Sequence, residues 1–491
     1  MQLKTKEVKL STGGPLVAVI NEKDAIKLDL NALDRIKIKY NSTKELNVIL
    51  DITKDNSKIK PGYLGLFEEA AKVIDSKKHK IVHIYPSENP LSVEAIRKKL
   101  DGKELSKKEI EFIVKDLVSN GLSDIEVAYF VAGCYKKGLT YKETVYLTKA
   151  IANEGKTIKL KNKIIADKHC VGGIPNNRTT MIVTPIVASA GLTIIKTSSR
   201  SITSPAGTSD TMEVLAKVDF SVDEIKKIIK KTNACMVWAG AMELAGADSR
   251  LIKVRHPLRL DPSGLMIASI LAKKSAVGST HLLIDIPIGH EAKITTKKDG
   301  KKLKKKFEKI AKSLGIKTKI IFTNGSQPIG NGIGPALEAK DILYILRRDQ
   351  RAPKDLEEKS IMMADKIFKL TKTKASAREI LESGKAYKKM KEIIKAQQGN
   401  PNILSEQIKI GRLRYDYKSK KTGIIEHIDN LRIAKIARLA GAPSNKGAGL
   451  YLYKKVNNEI KKGEKLFTIY SENKEKLELA KTAIDSAIIV K

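Results

Sequence analysis

The chain has 491 residues, too many for a single hydrophobic core, and this length predicts two to four domains. Its net charge of +38 favours anionic ligands, whereas an aromatic content of 5%, without an aromatic-rich basic strip, argues against a nucleic-acid-binding surface. Three widely spaced cysteines and an N-terminus without an apolar leader predict a reduced, cytoplasmic protein with neither a disulfide framework nor a zinc ribbon.

Residues 1–86 alternate short apolar runs with turn residues, which predicts a small β-rich N-terminal domain. From residue 90 onwards the apolar residues recur at helical spacing. Three consecutive segments there each begin with a serine or threonine cap, so we expect a helical domain over residues 90–158.

Strands and helices alternate after residue 158. The runs KIIADKHC and LTIIKTS read as strands that each lead into a helix, and this βαβ order predicts a mostly parallel sheet. Residues 159–251 and 283–404 are therefore predicted to form an α/β domain. The fold class is α/β, with smaller domains at both ends of the chain.

Two further segments bear on this organisation. The most apolar stretch, residues 181–195, is short and is interrupted by Pro185, so it predicts a buried helix and strand and no membrane span. The lysine-rich segment 297–309 alternates with apolar residues, which indicates the solvent-facing side of a helix. A final β-rich stretch predicts a C-terminal α+β domain at residues 405–491.

Residues 197–211 form an unusual loop, called here the hydroxyl loop. It contains nine serine or threonine residues and no lysine. Short O–H groups suit phosphate oxygens, although serine and threonine also dominate surface turns, where they bond their own backbone. The loop follows a predicted parallel strand, and ligands bind at the carboxyl ends of such strands in open α/β sheets.

Residues 168–175, KHCVGGIP, end the preceding strand and are called here the phosphate loop. The pair Gly172-Gly173 lets the backbone approach an anion, and the following helix offers N-terminal N–H groups. Loops on sequential parallel strands lie side by side, so the two loops predict one anion site. A third glycine-rich loop, residues 324–338, also leads from a strand into a helix.

The segment SSRSITSPAGTSDTMEVL (198–215) resembles the signature of the thymidine/pyrimidine nucleoside phosphorylase family. KHCVGG corresponds to the phosphate loop of that family, and ASILAKK (268–274) corresponds to its base-contacting helix. The resemblance covers about residues 90–480, and the added N-terminal domain is most similar to the archaeal AMP phosphorylase branch. High Lys, Glu and Ile with little Gln agrees with a thermophilic source.

The resemblance has consequences for domain organisation and assembly. It implies that a second segment, at about residues 252–282, completes the helical domain. It also implies a homodimer formed through that domain, to which the N-terminal β domain can add larger homo-oligomers.

Two departures from the family pattern point to a second phosphate. Cys170-Val171 stands where the nucleoside phosphorylases have Ser-Thr, and RSITSPAGT stands where they have a glycine-rich RGLGHTGGT. Ser201, Thr203 and Ser204 therefore add donors to a loop that already serves one phosphate. The sequence thus predicts phosphorolysis of AMP by inorganic phosphate to adenine and ribose 1,5-bisphosphate, with the ranking of AMP, CMP and UMP left open.

Cleavage of the glycosidic bond builds positive charge on the ribose, which an anion beneath C1′ stabilises and a proton delivered to the base assists. By the resemblance, the residues that hold the attacking phosphate are Lys168, His169, Ser198 and Thr208. The residues that hold the nucleotide are Gly173, Ser199, Arg200, Ser201, Ile202, Thr203, Ser204, Thr208, Ser269, Lys273 and Lys293.

Asp261 is the proton donor that the resemblance implies. It precedes Pro262, so a helix-capping role is the alternative. Arg255 and Arg259, which flank it together with His256, are the second choice as base contacts, because pyrimidine phosphorylases rely on an arginine. His169 is the other candidate for the proton.

Neither a cofactor nor a metal is expected beyond phosphate as co-substrate. Asp210 and Glu213 have no third acid nearby, and both suit the start of a helix.

Three other functions stay open. A nucleoside phosphorylase would turn over thymidine or uridine without a 5′-phosphate. A phosphoribosyltransferase would need an acidic pair for Mg²⁺ near the pyrophosphate, which the phosphate loops do not offer. A basic RNA-binding protein would lose affinity steeply with salt.

Overall fold

The computed structural model describes residues 1–160, 162–201, 204–240, 246–255, 257 and 260–491. Ile202 and Thr203, predicted to hold the nucleotide, and His256 and Arg259 lie outside the described residues. The chain divides into two units, one formed by residues 1–154 with 246–269 and the other by residues 155–245 with 270–491.

Six N-terminal strands close into a barrel in the order β1-β5-β2-β4-β3-β6. In β3, Ile36 and Ile38 are fully buried and alternate with less buried basic residues, as expected for a strand with one face on a core. The elements are β1 (Gln2–Glu7), β2 (Val17–Asn21), α1 (Glu22–Lys27), β3 (Arg35–Lys39), β4 (Glu45–Thr53), β5 (Tyr63–Leu66), α2 (Glu68–Ile74) and β6 (Ile81–Pro86).

The helical part of this unit is α3 (Leu91–Leu100), α4 (Lys107–Val118), α5 (Asp124–Lys137) and α6 (Tyr141–Glu154). Three reciprocal capping boxes start α4, α5 and α6, at Ser106, Ser123 and Thr140. The predicted caps are therefore confirmed. A buried ion pair between Lys99 and Glu143, with N–O 2.8 Å, ties α3 to α6.

The second unit contains a five-stranded parallel sheet in the order β11-β10-β7-β8-β9. Its strands are β7 (Ile165–Cys170), β8 (Thr193–Ser198), β9 (Ala234–Trp238), β10 (His281–Ile288) and β11 (Lys317–Asn324). The helices between β7 and residue 396 are α7 (Thr179–Ser189), α8 (Thr208–Met212), α9 (Val222–Thr232), α10 (Gly246–Arg255), α11 (Ser263–Ala276), α12 (Lys297–Ser313), α13 (Pro335–Leu346), α14 (Lys354–Thr371), α15 (Ala377–Glu382) and α16 (Lys385–Ala396). Of these, α10 and the first half of α11 belong to the first unit.

The inserted segment of the first unit comprises α10 and the first half of α11, residues 246–269. Residues 270–276, the second half of α11, belong to the second unit. The reason is that the second half of α11 packs with the sheet: Ala276 belongs to the core that also holds Ile165 and Ile195, and its carbonyl accepts a hydrogen bond from the Ile158 amide.

Residues 408–491 add two small sheets to the second unit, and β12 (Gly332–Ile333) of the third glycine-rich loop pairs with one of them. Their orders are β12-β15-β17-β13 and β16-β14-β18. The elements are a short 3-10 helix (Ser405–Gln407), β13 (Leu413–Lys418), β14 (Gly423–Ile428), α17 (Asn430–Leu439), β15 (Gly449–Leu452), β16 (Glu459–Ile460), β17 (Lys465–Ser471), α18 (Lys474–Lys481) and β18 (Ile488–Val490).

Two predictions about apolar and charged segments are confirmed. Residues 181–195 form most of α7 and the start of β8, and the lysine-rich segment lies on α12 with Phe307 and Ile310 buried. In the described part of the chain, no helix is both long and apolar enough to cross a membrane.

Candidate active site

The phosphate loop and the hydroxyl loop leave neighbouring parallel strands at the same edge of the sheet. β7 pairs with β8 in parallel, and each loop begins where its strand ends. The predicted side-by-side arrangement is therefore confirmed. It gives the two loops a common location at the carboxyl ends of the strands, where α/β sheets bind ligands.

The double glycine of the phosphate loop allows a close approach by a second loop. Gly172 and Gly173 have φ of +103° and +98°, a left-handed conformation that other residues rarely adopt. A Cβ on Gly173 would lie 2.7 Å from the backbone N of Lys293, and one on Gly172 would lie 3.7 Å from the Lys293 Cε. Lys293, predicted from the resemblance, thus lies against the phosphate loop.

Lys168 lies inside the protein, although a lysine at the start of a loop on so basic a chain is usually solvated. The residue is 1% exposed, and its Nζ donates to Thr179 Oγ1 at 2.5 Å. Burial lowers the pKa of Lys168 below its ordinary value. The residue is therefore a buried lysine at the base of the phosphate loop.

The two residues after Lys168 are held in uncharged forms. Burial, and then the positive charges of Lys196, Lys274 and Lys273, hold the pKa of His169 well below its usual range. Burial raises the pKa of the Cys170 thiol to about 11. A neutral imidazole is a poor acid, which weakens His169 as the alternative proton donor, and a protonated thiol is a poor nucleophile.

Ser201 and Ser204 of the hydroxyl loop form hydrogen bonds within the loop. The Oγ atoms of Ser201 and Ser204 are 2.9 Å apart, and Ser204 Oγ donates to the Ala206 carbonyl at 2.9 Å. The amides of Ser201 and Gly207 both donate to Asp210 Oδ2 at 2.8 Å. The structure therefore gives these serines the turn-forming role that was the alternative interpretation, and it confirms Asp210 in a helix-start role.

Arg200 and Glu213 form a pair that the sequence did not predict. The guanidinium of Arg200 donates twice to the Glu213 carboxylate at 2.6 Å and stacks over Trp238. Hydrogen bonds from Arg200, with a further one from Lys446, lower the pKa of Glu213 to about 2. The helix-start role predicted for Glu213 is wrong, because the residue follows the last turn of α8 and anchors the Arg200 side chain.

The remaining residues of this loop differ in exposure. Ser198 Oγ lies 2.6 Å from Ser209 Oγ, and Thr208 is buried at the first position of α8. Ser199 is exposed. Thr197 Oγ1 is buried and has no hydrogen-bond partner among the described residues, so a polar atom is left unsatisfied beside Ser198.

The third glycine-rich loop uses its amides to hold itself in place. The N–H groups of Asn331 and Gly332 and the side-chain amide of Asn176 all donate to Asp341 Oδ2, at 2.7–2.8 Å. Burial raises the pKa of Asp341 to about 6. These amides are committed to a carboxylate inside the protein, so the anion-binding role that the glycine pattern suggested is not supported.

The base-side residues predicted from the resemblance lie on or near α11. Asp261 pairs with Arg255, with Oδ1 3.1 Å from Nη1. Helix α11 begins at Ser263, two residues after Asp261, and the capping role stays the alternative prediction for this residue. Ser269 is buried and Lys273 half-buried, both on α11.

Two buried lysines at this end of the sheet were missed by sequence reasoning. Lys196 Nζ donates to the Lys168 carbonyl at 2.9 Å, and Lys359 Nζ lies 3.1 Å from Asp285 Oδ2. The signal for Lys196 was a lysine inside an otherwise apolar strand. Across the described ranges, no cluster of three or more His, Cys, Asp or Glu side chains is arranged to hold a metal ion.

Three family models match successive parts of the chain. Those described as "Glycosyl transferase family, helical bundle domain" and "Glycosyl transferase family, a/b domain" match residues 93–155 and 162–387. The model described as "Pyrimidine nucleoside phosphorylase C-terminal domain" matches residues 424–491.

Relatives match nearly the whole chain. A protein of Rhodopseudomonas palustris (strain BisA53) with the provisional name thymidine phosphorylase is 42% identical over 494 residues, which cover 99% of this chain and 95% of that protein. A protein of Thermococcus sibiricus named AMP phosphorylase is 43% identical over 486 residues, with coverage of 98% and 95%.

The chain is also similar to a solved structure, the anthranilate phosphoribosyltransferase from Thermus thermophilus. The TM-score is 0.53 and the identity 16%, and the match covers 62% of this chain and 99% of that one. At this identity the likeness shows a shared fold and nothing about substrate.

Proposed function

This chain, which matches the helical-bundle, a/b and C-terminal family models, belongs to the thymidine phosphorylase family, and on that premise we propose that it catalyses the phosphorolysis of AMP. The C1′–N9 bond breaks, a bond from C1′ to a phosphate oxygen forms, and a proton goes to the departing adenine. The products are adenine and ribose 1,5-bisphosphate.

The observation that carries this proposal is the pair of loops on β7 and β8. The phosphate loop has a buried lysine at its base, and the hydroxyl loop beside it has Ser201 and Thr203 where the resemblance gives the nucleoside phosphorylases glycines. Two neighbouring donor sets suit two phosphates, one that attacks and one on C5′ of the nucleotide. The relative named AMP phosphorylase supports the same substrate.

We assign the attacking phosphate to Lys168, Ser198 and Thr208, with His169 beside them as a neutral donor or acceptor. The nucleotide phosphate and ribose are assigned to Gly173 and the segment 199–204. In this assignment Ser201 and Ser204 exchange their bonds within the loop for bonds to phosphate oxygens, which accept charge-assisted hydrogen bonds. Lys293 is assigned to the same ligand, and its position against the double glycine supports this assignment.

Asp261 is assigned the proton for adenine, with Ser269 and Lys273 on the base side. In the structure Asp261 is engaged in an ion pair with the Arg255 guanidinium, with Oδ1 3.1 Å from Nη1. The assignment therefore depends on substrate changing this ion pair. No metal or other cofactor enters the proposed reaction.

The experiment is an incubation with AMP and inorganic phosphate, followed by identification of both products. Adenine and ribose 1,5-bisphosphate should form together and only when phosphate is present. Release of ribose 5-phosphate would indicate hydrolysis, and absence of adenine would contradict the proposal.

The second candidate is a thymidine phosphorylase without a 5′-phosphate requirement, which the 42% identical relative of that provisional name favours. Thymidine and uridine in the same assay distinguish the two functions. The homodimer or larger homo-oligomer implied by the family resemblance stays a prediction.

A further inference from the structure

β7 and β8 separate before their loops begin. Backbone pairing joins Ile165 to Thr193 and Ala166 to Ile194 and extends no further between these strands, whereas β8 stays paired with β9 as far as Ser198. Beyond the pairing, the carbonyl of Lys168 accepts a hydrogen bond from Lys196 Nζ at 2.9 Å. The Lys196 side chain thus bonds the Lys168 carbonyl at a point where backbone pairing between β7 and β8 has ended.

The side chains around this contact carry more positive than negative charge. Lys274 Nζ lies 2.7 Å from Asp167 Oδ2, and Lys359 Nζ lies 3.1 Å from Asp285 Oδ2, so each aspartate is matched by one lysine. Neither Lys168 nor Lys196 has such a partner within 4 Å among the described residues: their ammonium groups bond a hydroxyl and a carbonyl.

The other ionisable groups of this region that the structure describes supply no further anion, and Lys273 and Lys293 near the phosphate loop add positive charge. Arg178, at the start of α7, is paired with Glu338, with Nε 2.6 Å from Oε2. His169 and Cys170 are uncharged near neutral pH for the reasons given above. Two buried lysines therefore remain without a buried anion at the base of the phosphate loop.

A buried charge without a counter-charge is unstable, and lysine relieves it by losing its proton. Burial, followed by the charge of Lys274, holds the pKa of Lys196 well below its usual range, and burial also lowers the pKa of Lys168. An anion bound above these groups reverses the effect, since a nearby negative charge favours the protonated ammonium.

We propose that Lys196 is a positioning residue for inorganic phosphate: it holds the phosphate loop by the Lys168 carbonyl, and with Lys168 it supplies the positive charge that a bound dianion neutralises. The inference rests on the proposed function, because it takes the anion at this loop to be the phosphate co-substrate. Its consequence is that dianion binding is accompanied by proton uptake by the protein.

The test is isothermal titration calorimetry of the full-length protein with sulfate and with inorganic phosphate, without nucleotide, at pH 8.5 in two buffers of different ionisation enthalpy. Sulfate has no proton to exchange at this pH, so any dependence of its binding heat on the buffer reports protons taken up by the protein. We expect such uptake with both anions.

The variant Lys196→Met removes the ammonium and keeps a similar shape. It should weaken phosphate binding about tenfold or more, the loss of one charge-assisted contact, and it should reduce proton uptake. Lys196→Arg should recover much of the affinity while uptake stays reduced, because arginine does not titrate here. The matched control is Lys231→Met, on the exposed side of α9, which should leave both quantities unchanged.

The outcomes separate the inference from the proposed function. Heats that do not depend on the buffer in the wild-type protein, or wild-type affinity in Lys196→Met, would overturn the role of Lys196 while leaving phosphate binding intact. Failure of the wild-type protein to bind either anion would overturn the proposed function as well. The wild-type measurement stands even if Lys196→Met does not fold.

Discussion

Ser201 and Ser204 illustrate how one set of hydroxyl groups can serve two purposes. In the structure their Oγ atoms lie 2.9 Å apart, and Ser204 Oγ donates to the Ala206 carbonyl. Phosphate oxygens accept hydrogen bonds more strongly than peptide carbonyls, so a nucleotide phosphate can take over these donors. In the proposed function the same two residues therefore bond within the loop and also bind the nucleotide phosphate.

Replacing Ser204 by glycine, which removes its hydroxyl group, should reduce kcat/KM for AMP more than for adenosine. The expected difference is about tenfold, the contribution of one hydrogen bond to a charged group. Ser204→Ala is the matched control, because it removes the hydroxyl without adding backbone freedom and should give a similar ratio. Equal losses on both substrates would show that Ser204 only holds the turn.

Asp261→Asn tests the proton donor. A general acid typically contributes about 10²–10⁴-fold, so kcat for AMP should fall at least a hundredfold while AMP binding is largely retained. The reason is that asparagine keeps the size of the side chain but supplies no proton. Comparable turnover in the variant and the wild-type protein would remove Asp261 from the mechanism.

At the scale of secondary-structure elements, the sequence predicted features that depend on neighbouring residues. It did not predict features that depend on pairing between residues far apart in the chain. The caps at Ser106 and Ser123 and the alternation of strands and helices depend on neighbours in sequence, and the structure has them as predicted. Closure of the N-terminal barrel depends on β1 meeting both β5 and β6, a pairing between distant residues that alternation does not specify.

The site shows the same division. The positions of the phosphate and hydroxyl loops followed from the βαβ order, but their internal bonds did not. The third glycine-rich loop resembled an anion site because sequence does not reveal that Asp341 is buried beneath it. The sequence did not identify Lys196, because its hydrogen bond to the Lys168 carbonyl depends on where backbone pairing between β7 and β8 ends.

Asp341 predicts a pH effect on stability. Its pKa is about 6 in the folded protein against an ordinary value of 3.8, because burial disfavours the carboxylate. The proton is therefore held more tightly by the folded state, and the stability it contributes is complete below about pH 4 and lost as pH rises through 6. Asp341→Asn has no such proton and should not show this loss.

Thermal unfolding between pH 4 and pH 8 measures the effect. The stability of Asp341→Asn relative to wild type should rise by on the order of 2–3 kcal/mol across this range. Asp223→Asn, at an exposed position on α9, serves as the control and should follow the wild-type curve. Parallel curves for Asp341→Asn and wild type would contradict the burial argument.

At the scale of the whole molecule, the net charge of +38 acts on ligands before they bind. A strongly positive protein attracts anions over roughly the Debye length, which is about 10 Å at 0.1 M salt. The kcat/KM for AMP should therefore fall as ionic strength rises, while kcat stays nearly constant. Adenosine, which carries no charge, is the control, and equal salt dependence for both substrates would argue against electrostatic attraction.

The central claim is that this phosphorylase acts on a nucleotide. The direct measurement is a comparison of kcat/KM for AMP, adenosine and thymidine with the same protein at saturating phosphate, with products identified. We predict adenine and ribose 1,5-bisphosphate from AMP, with kcat/KM at least about a hundredfold higher than for adenosine, since two charge-assisted hydrogen bonds to the 5′-phosphate contribute about 1.5–3 kcal/mol each. Thymidine turned over as well as or better than AMP would contradict the claim and identify a nucleoside phosphorylase.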